Sequence, residues 1–391
     1  MKAVHFGPGN IGRGFIGLLL SQSGYEVCFA ARNERQVSLL NERRRYTVTL
    51  ANVAKDQIVV DNVSAVLIQD ADTLAQRIAE ADVVTTAVGA SALKHIAGAI
   101  AKGIELRLKQ QIHQRPLHVM ACENVMNGSS LLKRKVYAHL DAVWHAAADR
   151  LISFPNTLVD RIIPDQTHED PLAVRVEPFF EWIVHRPALK PGFGGIEGIR
   201  YAESLEPYLE RKLFTVNTGH CSAAYLGYLA GYRTIQEAMK DPRIKDKVRK
   251  VMEETGQLLI EKYGFNELEH KKYIQNTLER FSNPSLIDKV VRVGRSPLRK
   301  LSSNDRLIRP AMQAHEMGLD VPNLVTAVAA GLLYDYVEDP EAIKLQSEIR
   351  QTGVNHVVDT HMGIPEKHRI HRQIVADYEQ LRQRFMLKLK A

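Results

Sequence analysis

The fold of this 391-residue chain is decided by the stretch Gly7–Pro8–Gly9–Asn10–Ile11–Gly12 near its start. Its glycines have the spacing G-x-G-x-x-G, and the apolar run Lys2–Phe6 before them predicts a short buried strand. The pattern that follows predicts a helix over residues 10–23 and a second strand over Glu26–Ala31. In this context the first glycine permits a tight turn and the second lets the backbone approach a pyrophosphate. The third lets the helix pack on the strand. The stretch therefore predicts a dinucleotide-binding turn with the phosphates at a helix N-terminus.

The residues expected to contact the dinucleotide lie in the first strand, in the glycine turn and just after the second strand. They are Val4, His5, Phe6, Gly7, Pro8, Gly9, Asn10, Ile11, Gly12, Arg13, Gly14, Arg32 and Asn33. In NAD-binding proteins the second strand usually ends in an acid that accepts hydrogen bonds from the ribose, whereas residues 30–33 here are Ala-Ala-Arg-Asn. Arg32 can pair with a 2′-phosphate, which would indicate NADP. Alternatively it lies on the surface and stacks on adenine while Asn33 meets the ribose. The residues themselves leave NAD and NADP open.

Strand-like and helical patterns alternate through the first half of the chain, and further short β-rich runs stand at Ala81–Ala87 and Leu117–Ala121. Such alternation predicts an α/β fold with a Rossmann-like, doubly wound parallel sheet. The segment Pro187–Gly198 contains two prolines and four glycines, which favours a connection between domains, and the pattern beyond it has helical period. We therefore predict a dinucleotide-binding domain over residues 1–190 and a mostly α-helical substrate and catalytic domain over residues 199–391.

Composition narrows the class of protein. An apolar fraction of 45% is typical of a globular protein, and no apolar run approaches the roughly 18 residues of a membrane span. The chain enters its first strand directly, so we expect no signal peptide. Cys28, Cys122 and Cys221 form no C-x-x-C pair, which favours a reducing cytoplasm and no structural zinc site. The net charge of +7 fits either nucleic acid or a phosphorylated small substrate, and charge alone does not decide.

A candidate catalytic motif lies in the second half, where Lys212, Asn217 and His220 have the spacing K-x4-N-x2-H. At about 100° per residue of an α-helix, the three side chains can face one cleft. Oxidation of an alcohol by hydride transfer needs a base for the hydroxyl proton and donors that hold the alkoxide. A lysine can be that base, and Asn217 and His220 can bind substrate oxygens. An amphipathic helix with a surface lysine and a capping asparagine is the alternative that the spacing leaves open.

Two other catalytic solutions are disfavoured. No cysteine stands in a cluster that resembles the zinc site of an alcohol dehydrogenase. Tyr208 and Lys212 match the Y-x-x-x-K pair of short-chain dehydrogenases, but they lie beyond the expected linker, where such an enzyme does not place them. The C-terminal histidines also lack the spacing of a zinc site, so we expect no metal. They are His356, His361, His368 and His371.

With these motifs the chain resembles the polyol-specific long-chain dehydrogenases. The K-x4-N-x2-H motif carries that family's catalytic lysine, so the resemblance assigns this role to Lys212, with Asn217 and His220 as its partners. The run Asn156–Ile162 matches a second family motif, and Asn156 thereby completes the group that stabilises the alkoxide. The runs Ala121–Asn124 and Val176–Trp182 match as well.

The resemblance implies hydride transfer between D-mannitol 1-phosphate and D-fructose 6-phosphate with NAD(H). The cysteines place this reaction in the cytoplasm, and the sequence leaves open whether the protein is a monomer or a small homo-oligomer. Ala31 stands where the family usually has an aspartate, so NADP stays open, and the match loosens after about residue 310. A related polyol or hexuronate dehydrogenase is the alternative. A dinucleotide-sensing regulator that binds DNA is less favoured, because it leaves the lysine motif and Asn156 without a role.

A run of basic residues between Lys289 and Arg309 is the candidate phosphate site. It contains Arg292, Arg295, Arg299, Lys300 and Arg306. No aromatic residue is interleaved, which disfavours nucleic acid, and several guanidiniums in a compact loop suit a phosphate monoester. In related polyol dehydrogenases a lysine of this region closes over the far end of the sugar chain. We expect Lys300 to take that place and Arg295 or Arg292 to bind the phosphate. A solvated basic face or ion pairs with acidic helices is the alternative.

Overall fold

The computed structural model describes residues 1–110, 115–163 and 166–390, and their side chains except those of residues 385–390. The chain divides into two compact units, Met1–Leu205 and Glu206–Ala391. The strands of the first unit are β1 (Lys2–Phe6), β2 (Glu26–Ala31), β3 (Tyr46–Leu50), β4 (Gln57–Val60), β5 (Val63–Leu67), β6 (Val83–Thr86), β7 (Leu117–Ala121), β8 (Ile152–Ser153), β9 (Thr157–Asp160), β10 (Val174–Val176), β11 (Glu181–His185) and β12 (Ile199–Ala202).

Six of these strands form one parallel sheet in the order β5-β2-β1-β6-β7-β8. The order reverses between β1 and β6, and ligands of open α/β sheets bind at such a switch point, beyond the carboxyl ends of the strands. The strands are nearly all apolar and buried, as expected for a sheet that is covered on both faces. The prediction of a Rossmann-like, doubly wound parallel sheet is confirmed.

The helical elements of the first unit connect these strands. They are a π-helical turn (Gly12–Gly17), α1 (Leu18–Gln22), α2 (Glu34–Arg43), α3 (Ala71–Glu80), α4 (Leu93–Gln110), α5 (Gly128–Tyr137) and α6 (His145–Leu151), with short 3-10 helices at Ala90–Ala92, Ala142–Trp144 and Arg186–Ala188. Two three-stranded sheets complete the unit, in the orders β10-β3-β4 and β12-β11-β9. Residues 187–198 connect β11 to β12 within one of these sheets, and the compact units divide only after Leu205.

The second unit is built from helices, as the sequence predicts. They are α7 (Glu206–Arg211), a second π-helical turn (Lys212–Asn217), α8 (Thr218–Ala230), α9 (Ile235–Lys240), α10 (Pro242–Tyr263), α11 (Glu267–Ser282), α12 (Val290–Gly294), α13 (Pro297–Lys300), α14 (Ile308–Glu316), α15 (Pro322–Leu332), α16 (Pro340–Thr352), α17 (Val354–Thr360) and α18 (Arg369–Lys390).

Helix α8 is the buried centre of this unit and packs on α9, α10, α12 and α15. Small residues permit the close approach, since a Cβ at Gly219 would lie 2.7 Å from Met252 Sδ and one at Gly227 would lie 2.8 Å from Ala238 Cβ. The lysine motif lies in the π-helical turn that leads into α8 and in the first turn of α8 itself. The tight packing of α8 therefore gives the motif a rigid support. Within the described part of the chain, no helix combines the length and apolarity needed to cross a membrane.

Candidate active site

The glycine turn after β1 is shaped by steric contacts at two glycines and by open space at a third. Gly7 has φ +97°, and a Cβ there would lie 2.5 Å from Ala87 O. A Cβ at Gly12 would lie 2.0 Å from Gly7 O, so neither position accepts a side chain. At Gly9 a Cβ would meet nothing within 4 Å, so there is open space in which a ligand could approach the protein backbone. This geometry fits a pyrophosphate on the turn and the following helix N-terminus.

The helix that follows the turn contains π-helical geometry over Gly12–Gly17, which the sequence pattern did not predict. Its glycines face neighbouring elements closely: a Cβ at Gly14 would lie 2.5 Å from Val176 Cγ1, and one at Gly17 would lie 2.7 Å from Phe29 Cζ. π-Helical turns are rare in proteins overall, and those that occur often stand at functional sites. This one therefore indicates that the adjoining glycine turn has a functional role.

Two polar residues near the glycine turn, His5 and Arg13, have buried side chains with hydrogen-bond partners inside the protein. His5 is buried beneath it, with Nδ1 2.7 Å from Thr85 Oγ1, and burial lowers the pKa of His5 to about 3. The Arg13 guanidinium is also buried and donates to the backbone oxygens of Pro8 and Leu172. Both residues therefore support the glycine turn from within the protein, and a direct contact of either side chain with the cofactor remains a prediction.

The residues after β2 face outward. Arg32 is exposed, and the Asn33 side chain caps α2 by accepting a hydrogen bond of 2.9 Å from the Gln36 N–H. Val4 and Phe6 are core residues of β1. The roles of these four residues in cofactor binding stay predictions.

Glu123 is a residue of this region for which the sequence analysis predicted no role. It follows β7, is 7% exposed, and accepts hydrogen bonds from the Thr86 hydroxyl (2.8 Å) and the N–H groups of Val88 (2.9 Å) and Gly89 (2.8 Å). The segment that it holds follows β6 and packs against Gly7. One carboxylate thus fixes the loop on the other side of the switch point. An acid directly after a parallel strand was the available signal, but its partners are more than 30 residues away in sequence.

Asn156, which precedes β9, is held by Ser130 at both ends of its amide. Its Oδ1 accepts from the Ser130 N–H at 3.0 Å, and its Nδ2 donates to Ser130 Oγ at 2.8 Å. The same motif contributes Arg161, whose guanidinium donates to the backbone oxygens of Glu177 and Gly14. Burial lowers the pKa of Arg161 to about 10, so it remains charged at neutral pH. The motif therefore contains both Asn156, whose amide is fixed by Ser130, and Arg161, which supports the π-helical turn Gly12–Gly17.

In the second unit, Lys212 and Asn217 are the first and last residues of a π-helical turn. Hydrogen bonds from residue i to i+5 bring the two ends of such a turn closer together than the α-helical spacing that the sequence analysis assumed. Lys212, Asn217 and His220 are half-buried, and the residues between them from Phe214 to Val216 are buried. The three motif residues are thus each partly accessible while the residues between Lys212 and Asn217 are mostly buried, which is compatible with a common role.

His220 lies between an aromatic ring and a carboxylate. Its ring stacks on Phe281 with centroids 4.7 Å apart and planes at 13°, and its Nε2 is 3.7 Å from Asp288 Oδ2. Burial and, to a smaller extent, nearby cations together lower the pKa of His220 to about 3. These cations are Arg292, Arg280, Lys300 and Arg306. His220 is therefore neutral at physiological pH and stands in a positively charged environment.

Several cations of the proposed phosphate site are paired with carboxylates. Arg292 binds Asp288 through two hydrogen bonds of 2.6 and 2.5 Å, and Asp305 accepts from Arg299 (3.0 Å) and Arg306 (2.7 Å). These three arginines therefore form ion pairs with acidic residues, which the sequence analysis gave as the alternative to phosphate binding.

Lys300 and Arg295 have different surroundings. Lys300 is buried and its Nζ donates to the backbone oxygens of Val293 and Arg295. Burial lowers the pKa of Lys300 to about 8, while the Arg295 side chain is exposed. Phosphate binding by Arg292, Arg295 and Lys300 remains a prediction.

The remaining histidines and the cysteines were the other residues considered as possible metal ligands. Among the described residues, no group of three or more His, Cys, Asp and Glu side chains is placed to hold a metal ion. His361 bonds the backbone oxygen of Leu298 at 2.6 Å, and His371 bonds that of Ile364 at 2.7 Å. Cysteines 28, 122 and 221 are free and buried.

A Rossmann-type unit with a pyrophosphate-shaped glycine turn, followed by a helical unit with a lysine motif, defines a nicotinamide-dinucleotide-dependent oxidoreductase. Residues 1–197 match the family model described as the mannitol dehydrogenase Rossmann domain, and residues 204–382 match the mannitol dehydrogenase C-terminal domain. The chain belongs to the mannitol dehydrogenase family.

Relatives in this family are similar over almost the whole chain. Mannitol-1-phosphate 5-dehydrogenase of Brevibacillus brevis is 51% identical over 94% of this chain and 95% of its own. The enzyme of the same name from Geobacillus thermodenitrificans is 47% identical over 97% and 99%. Among solved structures, Pseudomonas fluorescens mannitol 2-dehydrogenase in a ternary complex with NAD and D-mannitol has a TM-score of 0.74 at 19% identity. The match covers 100% of this chain and 94% of that one, and it shows a shared fold.

Proposed function

We propose that the protein interconverts D-mannitol 1-phosphate and D-fructose 6-phosphate by hydride transfer with NAD(H). The relatives that match at about half identity carry this activity in their names. The observation that carries the proposal is that Lys212 and Asn217 stand half-buried at the two ends of one π-helical turn, followed by a half-buried His220 with cations around it. A base, amide and imidazole groups and positive charge are what oxidation of a phosphorylated polyol requires.

The cofactor, bound by residues 1–190, supplies or accepts the hydride at the carbinol carbon. In oxidation, Lys212 takes the proton of the substrate hydroxyl, and in reduction it returns that proton to the oxygen. Asn217 and Asn156 donate hydrogen bonds to the oxygen while it carries negative charge. Asn156 suits this role because Ser130 fixes its amide and leaves its other amide hydrogen available. Residues 199–391 supply the base and bind the substrate.

NAD is the cofactor that we propose, as in the complex of the Pseudomonas fluorescens enzyme. The reaction is assigned to the cytoplasm, because three free, buried cysteines suit a reducing compartment. The basic run that contains Arg292, Arg295 and Lys300 is assigned to the phosphate, since a cluster of cations favours a dianionic ester.

A direct assay tests the proposal. We expect rapid oxidation of NADH with fructose 6-phosphate and little with free fructose. Lys212→Ala should abolish turnover and leave NADH binding, followed by fluorescence, nearly unchanged. Lys250→Ala removes an exposed lysine that pairs with Asp246 and serves as the matched control. Retained turnover in Lys212→Ala would contradict the assignment of the base. Preference for free fructose or for a hexuronate would contradict the substrate.

A further inference from the structure

Asp288 is a buried carboxylate on a rigid segment next to the lysine motif's histidine. Its side chain is 5% exposed. Its backbone N–H donates to Gln236 Oε1 at 3.0 Å, and its carbonyl accepts from the Ile235 N–H at 2.8 Å. A β-bridge between Thr234 and Lys289 continues this pairing. The position of Asp288 is therefore fixed by its backbone, independently of what its side chain contacts.

The carboxylate of Asp288 faces two functional groups at once. Arg292 approaches with Nε 2.6 Å from Oδ1 and Nη2 2.5 Å from Oδ2, a bidentate charge-assisted pair. His220 Nε2 lies 3.7 Å from Oδ2, which is too long for a direct hydrogen bond but close enough for the carboxylate charge to act on the ring. The stacked Phe281 ring limits rotation of the imidazole from the other side.

This arrangement determines both the charge and the tautomer of His220. An unpaired carboxylate so close would favour an imidazolium, but Arg292 compensates its charge, and Arg280, Lys300 and Arg306 add further positive charge around the ring. The ring therefore stays neutral. In a neutral ring, a proton on Nε2 facing the carboxylate is favoured over a lone pair facing it. Nδ1 is then the nitrogen that carries the lone pair.

We infer that Asp288 is a positioning residue that holds the ring proton of His220 on Nε2, so that Nδ1 accepts a hydrogen bond from a substrate hydroxyl. The effect on turnover rests on the proposed function, since it requires His220 to bind substrate. The inference gives His220 a role that differs from those of Asn217 and Asn156, which donate hydrogen bonds. It also assigns Arg292 to charge compensation at Asp288, in addition to any contact with phosphate.

The charge and the tautomer can be measured without any assay of activity. We would label the protein with ¹⁵N-histidine, record long-range ¹H–¹⁵N correlations, and assign His220 by comparison with His220→Gln. In the wild type, His220 should be neutral and protonated on Nε2 at pH 7.

Two variants should then move in different ways. Arg292→Met leaves the carboxylate uncompensated, so it should raise the pKa of His220. The double variant Asp288→Leu, Arg292→Met replaces the ion pair by apolar groups, a change that folded proteins often tolerate. It should leave His220 neutral but mixed between tautomers. An unchanged titration in Arg292→Met, or a wild-type tautomer in the double variant, would overturn the inference.

Asp241→Asn is the matched control. Asp241 is also a buried aspartate paired with an arginine, Arg243, and it caps α10. This change should lower the melting temperature and leave the His220 signals unchanged. A purely structural role of Asp288 would likewise lower stability without moving the tautomer, so the spectrum separates the two.

Kinetics connects the inference to the reaction. The double variant should lower kcat at saturating fructose 6-phosphate about tenfold or more, as when the partner that orients a metal-bound histidine is lost, whereas loss of a phosphate contact of Arg292 alone would raise KM and leave kcat unchanged. The Kd for NADH should not change. If the wild type does not reduce fructose 6-phosphate, the proposed function fails while the spectra still test Asp288. If the wild type reduces it and the double variant is equally active, the positioning role fails alone.

Discussion

Both ends of the Asn156 side-chain amide are bound by one residue, Ser130. The backbone N–H of Ser130 can only donate, so it identifies the acceptor end of the amide as Oδ1 and directs Nδ2 to the serine hydroxyl. The amide orientation, which is often ambiguous in proteins, is thus determined by the backbone. A side chain fixed in this way is ready to hold an alkoxide without reorganisation, which is how preorganised donors lower a barrier.

Ser130→Ala should therefore slow catalysis without affecting the cofactor. The variant loses one of the two bonds to Asn156, worth about 1 kcal/mol, so we expect kcat to fall roughly fivefold. Asn156→Ala should cost about 10²–10³ in kcat, as when an oxyanion donor is removed. Ser129→Ala is the control, because its hydroxyl accepts from the Ala121 N–H and does not contact Asn156. An equal loss of kcat in both serine variants would refute the specific role of Ser130.

Glu123→Gln should weaken cofactor binding. The amide nitrogen of glutamine would face a backbone N–H of Val88 or Gly89, which leaves a buried donor unpaired at a cost of about 1–3 kcal/mol. Because this loop packs against the glycine turn, we expect the Kd for NADH to rise about tenfold, with a smaller change in KM for the sugar. Fluorescence titration measures the Kd. Glu105→Gln removes a charge that pairs with Lys109 on α4 and should change nothing. An unaltered Kd in Glu123→Gln would show that the loop does not serve the cofactor.

The local parts of the fold were predictable, because their causes are local. The run Lys2–Phe6 and the glycine spacing determine β1 and its turn, and the observed strand has the predicted ends. The π-helical turns were not predictable, since the pattern of apolar residues does not reveal one extra residue per turn. This matters at Lys212, where the assumed pitch was α-helical.

The candidate site shows the same division between near and distant partners. Arg292 and its partner Asp288 are four residues apart, the spacing of a helical ion pair, so this pairing was available to sequence analysis as a specific alternative to phosphate. The partners of Glu123 and Asn156 are 26 or more residues away, and only the folded chain brings them together.

Cofactor preference should depend on Arg32, which is exposed at the end of β2. We expect the wild type to prefer NADH over NADPH. If Arg32 binds the 2′-phosphate of the minor substrate, Arg32→Ala should lower kcat/KM for NADPH about 10- to 100-fold, the value of a charged hydrogen bond. The value for NADH should change much less. Arg35→Ala, on the first turn of α2, is the matched control. A wild type that prefers NADPH would contradict our proposal of NAD.

Lys300 should limit the binding of a phosphorylated sugar at alkaline pH. Burial lowers its pKa to about 8, so it is mostly charged at pH 7 and loses its charge as the pH rises through 8. The affinity for an anionic substrate should therefore fall above about pH 8. Below about pH 6 it should also fall, because a phosphate monoester then loses its second charge. Calorimetric titration of fructose 6-phosphate into the enzyme with oxidised NAD measures the Kd without turnover. Lys300→Arg keeps its charge and should flatten the alkaline limb, whereas Lys300→Met should bind weakly at every pH. An alkaline limb that persists in Lys300→Arg would assign the titration to another group.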